Sequence, residues 1–318
     1  VGRALGAGPT AVIGAAMFPL GDPGDRFRRF LSSDEAAFLR EAYPTAETAA
    51  AVGEIVGTVS AAGAPLTGVA VTAIDPVKGT IVQTIASLAD GAYRIPLSAS
   101  PTVDRYLVVA EPLDGPAIPA HFQRVNLSAF RTGARPDVVA GRGPRADISA
   151  EAGEGALRIE RIGVDRAGGS GDPERFGALA VAIPAGQARD LLVAGPGIDA
   201  SIGFDNLRVL GPGLRIVPGS VHVDPLFTHA GGPVVRATVE ADPRNERMLA
   251  TVIVLRNRAA DVYVGALAIE PTPWFSTQGM THGADFSAGA VAPGGIHSLF
   301  GVALGPEEGV ANAGFDPA

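Results

Sequence analysis

The chain has 318 residues, 47% of them hydrophobic, with 42 glycines, 26 prolines, no cysteine and a net charge of -8. That length accommodates two or three domains of about 100–150 residues, and the glycine and proline content suits short strands joined by turns. Disulfides and thiolate chemistry are excluded, no basic stripe offers a footprint for nucleic acid, and no run approaches the ~20 apolar residues of a membrane-spanning helix. Lys78 is the only lysine, a usage expected of a GC-rich bacterial genome.

Residues 1–45 form the first segment. Leu31-Ser32-Ser33-Asp34-Glu35 opens a helix. Ser32 or Ser33 caps it, Asp34 and Glu35 favour its N-terminal dipole, and Pro44 follows its end, so the predicted span is Asp34 to Ala42. Upstream, Gly6 is followed by Ala16-Met17-Phe18-Pro19, with Met17 eight positions after Pro9. This order of glycine turn, methionine turn and capped final helix resembles the C-terminal part of a matrixin-type metzincin metalloprotease. The resemblance covers only about the first 44 residues. It would place the second and third zinc-binding histidines at Arg3 and Pro9, and the first histidine and the glutamate upstream of Val1. Arg stays cationic and Pro has no donor atom, so neither binds zinc. The expectation is an inactive protease remnant, with no catalytic residue, no metal and no cofactor. A chain that begins at Val1, within the motif, reads as a processed product.

From Gly53 the periodicity becomes that of strands: Glu54 to Ser60, Gly68 to Ile74, Ile81 to Ala86, Ala92 to Ile95 and Arg105 to Glu111. Turns fall at Ala62-Gly63-Ala64-Pro65 and Ala89-Asp90-Gly91. The carrying motifs are Gly57 to Val59, Gly63 to Val71 and Asp90 to Tyr93, with Tyr93 expected in the core. They resemble a carboxypeptidase regulatory-like domain, which implies a transthyretin-like β-sandwich over 53–148. Residues 112–155 are rich in Pro, Gly and Arg, and fit a long loop, an edge extension of the sandwich or a connector. The basic stretch Arg131 to Arg145 reads as a solvated loop.

A second set of strands follows over 156–271: Leu157 to Val164, Leu179 to Ile183, Arg189 to Ala194, Leu214 to Val223, Val234 to Ala241, Leu249 to Arg256 and Val262 to Ile269. Short alternating strands with frequent turns predict an immunoglobulin-like sandwich. The turns Gly195-Pro196-Gly197 and Gly211-Pro212-Gly213 resemble those of IPT/TIG-type Ig-like domains. Residues 272–318 form a C-terminal tail with one strand, His297 to Leu304. That strand either completes its own sheet, the default, or adds to the sheet edge of a neighbouring subunit.

Chemistry-bearing clusters are sparse. The histidines His121, His222, His229, His282 and His297 show no helical i, i+4 pair and no adjacent second ligand. His222, Asp224 and His229 make at most a weak metal site against the simpler reading of a solvated face. Asp165, Asp172, Asp199 and Asp205 lack calcium-loop spacing. There is no nucleophile elbow, and the glycine run 168–171 has no lysine for a phosphate loop. Asn126-Leu127-Ser128 matches a glycosylation tripeptide. The residues singled out for interaction are Trp274, Phe275, Leu299, Phe300 and Val302. The aromatic pair is either an exposed contact or an anchor into its own core.

The fold expected is mainly β: two Ig-like or transthyretin-like sandwiches in tandem after a short N-terminal helical segment. The function expected is that of a non-catalytic structural or interaction protein, secreted or on the cell surface, with the periplasm as an alternative. Its partner would be protein, including self-association by strand addition into a filament or other repeating assembly. The rival readings are an accessory fragment of an exported zinc metalloprotease and a carbohydrate-binding module; the single Trp and 6% aromatics show no row for the latter.

Overall fold

A computed structural model describes residues 2–21, 30–47, 52–86, 89–98, 104–113, 129–140, 145–153, 155, 157–244, 246–256, 259–271, 275, 280–283, 287, 297–300 and 304. The protein is mainly β. A 3-10 turn at Gly2–Leu5 and the helix α1 (Ser33–Ala42) lead into the strands. Helix α1 begins where its cap predicts. The Glu35 carboxylate accepts the amide of the N-cap Ser32 at 2.7 Å, the reciprocal arm of a capping box.

The first sandwich contains β1 (Val52–Ala61), β2 (Ala64–Pro65), β3 (Ala70–Ile74), β4 (Ile81–Ile85), β5 (Ala92–Ser98), β6 (Arg105–Glu111), β7 (Phe130–Arg131), β8 (Gly133–Val139) and β9 (Ile148–Ala152). One sheet runs β2-β1-β9-β7 with β5 also paired to β1; the other runs β4-β3-β6-β8. Their facing residues, among them Ile55, Val59, Val71, Ile95, Val108 and Ile148, form one buried core. Tyr93 lies inside it as expected, and its hydroxyl donates to the Ala146 carbonyl. Gly57 makes room for that ring: a Cβ there would come within 2.8 Å of Tyr93 Cε1.

The stretch 131–145 departs from the solvated-loop reading. It contains β8, which pairs with β6, and it leads into β9, which pairs in parallel with β1. Strand β8 lies at the end of its sheet and shifts register beside Pro136 and Asp137. An edge strand tolerates proline and charge because one side of its backbone needs no partner.

The second sandwich contains β10 (Arg161–Arg166), β11 (Arg175–Gly177), β12 (Val181–Pro184), β13 (Ala188–Ala194), β14 (Leu207–Leu210), β15 (Leu214–Ile216), β16 (His222–His229), β17 (Gly232–Ala241), β18 (Met248–Arg256) and β19 (Ala259–Glu270). Its sheets are β11-β10-β13-β17-β15, with β16 on β17, and β12-β19-β18-β14. Leu191, Val193, Val235 and Val239 meet Val252, Val254, Leu267 and Ile269 between them.

The two sandwiches lie face to face rather than as separate beads. Ile74, Ile81 and Val109, on the outer face of the β4-β3-β6-β8 sheet, meet Ile253, Val262 and Val264 of the β12-β19-β18-β14 sheet in a third buried cluster. Where they meet, the two sheets are covered on both sides, which explains why β3 is buried at every position. The N-terminal segment is wedged into this joint: Val12 and Ala15 belong to the same cluster. Strand β19 has a register shift opposite β18, with Gly265 at φ +64°. The carbonyls of Val264 and Gly265 accept the amides of Ile13 and Gly14 at 3.0 and 2.9 Å. A Cβ on Gly265 would lie 2.6 Å from Val12 Cγ1, so glycine serves both the left-handed turn and the close approach.

Beyond the sandwiches, β20 (Met280–His282) and β21 (His297–Leu299) pair antiparallel in a sheet of their own. The tail thus holds two short strands among the described residues where one was expected.

Candidate interaction site

The N-terminal turn around Met17 exists, but its polar groups face inward to the chain. Thr10 N donates to Met17 O, and Met17 N donates to Glu35 Oε1 at 2.8 Å. Phe18 is buried. Arg3 and Pro9 are both exposed. Among the described residues, no group of three or more His, Asp or Glu side chains could hold a metal ion.

Helix α1 docks by its first turn on the edge strand β4. Ser33 Oγ donates to Ile81 O at 2.7 Å and accepts Ile81 N at 2.8 Å; Asp34 Oδ1 accepts Gln83 N at 2.7 Å. Two side chains thus substitute for a neighbouring strand and close an otherwise open edge. The Gln83 side chain reaches the N-terminal segment, its Oε1 accepting Ala11 N at 2.9 Å. Between these parts lies a cleft of about 370 Å³, bordered by Thr10, Met17, Asp34, Phe38, Gln83 and Arg94. Burial pushes the Asp34 carboxyl up to about 6; the Thr10 hydroxyl and the Gln83 amide offset part of that, and the Glu35 charge adds to it. A second cleft, of about 300 Å³, opens between the sandwiches and is lined by Ile13, Phe18, Tyr263, Arg158 and Arg161 among others.

Among the described residues, the largest buried polar cluster lies on the outer face of the β11-β10-β13-β17-β15 sheet. Arg236 is 1% exposed. Its guanidinium donates to Asp224 Oδ2 at 2.7 Å, Asp165 Oδ2 at 2.9 Å and Asp190 Oδ2 at 3.4 Å. The remaining oxygens are filled as well. Asp165 Oδ1 accepts Arg166 N, Asp190 Oδ1 accepts the Thr238 hydroxyl, and Asp224 Oδ1 accepts the amides of Leu226 and Phe227. Asp224 is therefore not on a solvated face, as its position between two histidines suggested, and Asp165 is committed to Arg236 rather than to a cation. The glycine run serves the same cluster: Gly168 N donates to Asp190 Oδ2 at 2.9 Å, and Gly171 O accepts from Arg236. The role of Arg236 had no sequence signal beyond a charge within an otherwise apolar strand.

Of the residues singled out for interaction, Trp274 and Val302 lie outside the described residues, as do His121 and Asn126. Phe275 is half-buried. Leu299 ends β21 at 46% exposure, and Phe300 follows it at 54%. Leu299 and Phe300 thus lie at the end of a short strand pair and belong to neither sandwich core. It also sets His282 directly opposite His297, a pairing that their separation in sequence conceals.

No family model matches this chain, and no curated protein matches it. Among solved structures, a chimeric titin Z1Z2 functionalized with a KLER exogenous peptide from decorin aligns at 9% identity, covering 69% of this chain and 98% of its own, with a TM-score of 0.13. Among the described residues no helix is long and apolar enough to cross a membrane.

Proposed function

We propose that this protein is a non-catalytic structural or interaction protein of the cell exterior, built as a double sandwich and joined to its own kind by strand addition. The observation that carries the reading is the use made of the N-terminal segment. Its Val12 and Ala15 are buried in the joint between the sandwiches, and Ala11 N and Met17 N are bonded to Gln83 of the β4 edge and to Glu35. A segment so committed works as a joint, and the positions that would bind zinc in the resembling proteases carry Arg3 and Pro9. The short β20–β21 pair supports the second half of the proposal. Two strands alone are marginal in water and gain from a third. The exposed Leu299 and Phe300 beside β21 supply apolar side chains that an added strand would cover.

Light scattering with negative-stain microscopy on the full chain tests this. Filaments or a regular large assembly, weakened by Leu299→Asp with Phe300→Asp, are the expected result. A monodisperse monomer at every attainable concentration overturns the assembly reading.

A further inference from the structure

The β20–β21 pair carries a feature that the assembly reading does not use. His282 and His297 are cross-strand partners in register. Their rings meet edge to face, with centroids 6.0 Å apart and planes at 85°. Among the described residues, His297 Nε2 is shielded from solvent and has no hydrogen-bond partner, and the Oγ1 of the neighbouring Thr281 is in the same condition. Buried polar atoms are normally paired, so an imidazole nitrogen closed off from water and left empty marks a place where a ligand belongs.

We propose that His282 and His297 form a two-histidine site for a divalent transition-metal ion of the Zn²⁺, Ni²⁺ or Cu²⁺ class. Imidazole nitrogen is the ligand these ions prefer, whereas Mg²⁺ and Ca²⁺ demand oxygen. Zinc sits about 2.0–2.1 Å from each ligating nitrogen, which places the two ring centres about 5 Å apart at a tetrahedral angle. The observed 6.0 Å is closed by turning the two side chains about their own bonds. Facing positions on paired strands fix the backbone spacing in advance, so the ion has only side-chain freedom to restrain. Two protein ligands leave positions for water or for the same pair from a second copy. The proposal stands whether or not the chain assembles, since it needs only one β20–β21 pair.

The test is isothermal titration of the full chain, prepared without a polyhistidine tag, with ZnCl₂ and NiCl₂ at about pH 7.5, where an unperturbed imidazole is neutral. Saturable binding of one ion per chain, or of one per two chains, is expected. His282→Gln and His297→Asn should each weaken it at least tenfold, on the order of what loss of a mere outer-sphere partner costs. His222→Gln and His229→Gln should leave it unchanged. Binding should weaken on acidification, because protons compete with the ion for the imidazole nitrogens. Proton NMR of the native chain gives a readout that does not depend on a variant folding: the ring signals of His282 and His297 should move together on adding Zn²⁺. Unmoved ring signals, absence of saturable binding, or affinity retained in both variants overturns the site.

Discussion

Arg236 shows how much one side chain can organise. It lies on β17 among apolar neighbours, and its fork collects three aspartates from β10, β13 and β16. Burying a charged group without partners is costly, and here each of the six carboxylate oxygens has a donor, so the cluster is satisfied throughout. Burial alone would raise the Asp224 carboxyl. The amides of Leu226 and Phe227 and the Arg236 charge more than offset this and hold it below the ordinary carboxylate range. Its contribution to stability is therefore present above that range and is lost as the pH falls through its folded value. Arg236→Ala would leave three buried carboxylates without their common partner. A loss of about 3–5 kcal/mol in urea unfolding is expected, with release of the 168–171 loop. A loss below about 1 kcal/mol would mean that water replaces the guanidinium and that the cluster is no keystone.

At the scale of elements, strands and helix alike were legible wherever local pattern decides them. Helix α1 announced itself through Ser32, Glu35 and Pro44, and β1, β3, β4, β5 and β6 through alternation and turn residues. Strand β8 was legible only as one of three options, an edge extension of the sandwich, because Arg135, Pro136 and Asp137 carry the composition of a loop and only pairing with β6 makes them a strand. The docking of α1 was equally hidden. Ser33 read as a candidate cap and Asp34 as a residue favouring the helix dipole, yet in the fold they hydrogen-bond to the β4 edge, a contact made across 48 and 49 residues. That second duty has a measurable consequence. The folded protein holds the Asp34 proton up to about pH 6, whereas the ordinary value is 3.8. Between those values the folded state binds a proton that the unfolded chain has lost, so stability declines as the pH rises through this window and the full penalty applies above it. Asp34→Asn keeps an acceptor for Gln83 N and removes the titration. It should flatten the decline between about pH 4 and pH 6 in thermal unfolding. A native titration of Asp34 by carboxyl NMR near 4 instead of near 6 would refute the burial argument.

At the scale of the whole molecule, the two sandwiches stack as four sheets whose two inner members meet over Ile74, Ile81, Val109, Ile253, Val262 and Val264, and this is the level that periodicity could not reach. Alternating strands predicted sandwiches with one wet side each. Strands β3 and β19 instead read as nearly continuous apolar runs, Ala-Val-Thr-Ala-Ile and Val-Tyr-Val-Gly-Ala-Leu-Ala-Ile, and that pattern belongs to sheets covered on both faces. The signal was present, but nothing local said which surfaces would meet. Val12 is the residue on which the joint can be tested. It is fully buried between Ile74 and Ile81 on one side and Val262 and Val264 on the other, within a segment whose amides are taken by the β19 bulge. Because the apolar joint buries Ile74, Ile81 and Val109 of one sandwich against Ile253, Val262 and Val264 of the other, the native chain should unfold by heat or urea in a single cooperative transition. Val12→Asp places a charge with no partner in that joint, a penalty of several kcal/mol. Each sandwich keeps its own core, of which Val12 is no part. The variant should therefore unfold in two steps, with β3 and β19 amides losing hydrogen-exchange protection at the joint face before either core opens. If Val12→Asp still unfolds in one transition with its midpoint unchanged, the sandwiches are held together by something other than this joint, and the structural role assigned to the N-terminal segment falls with it.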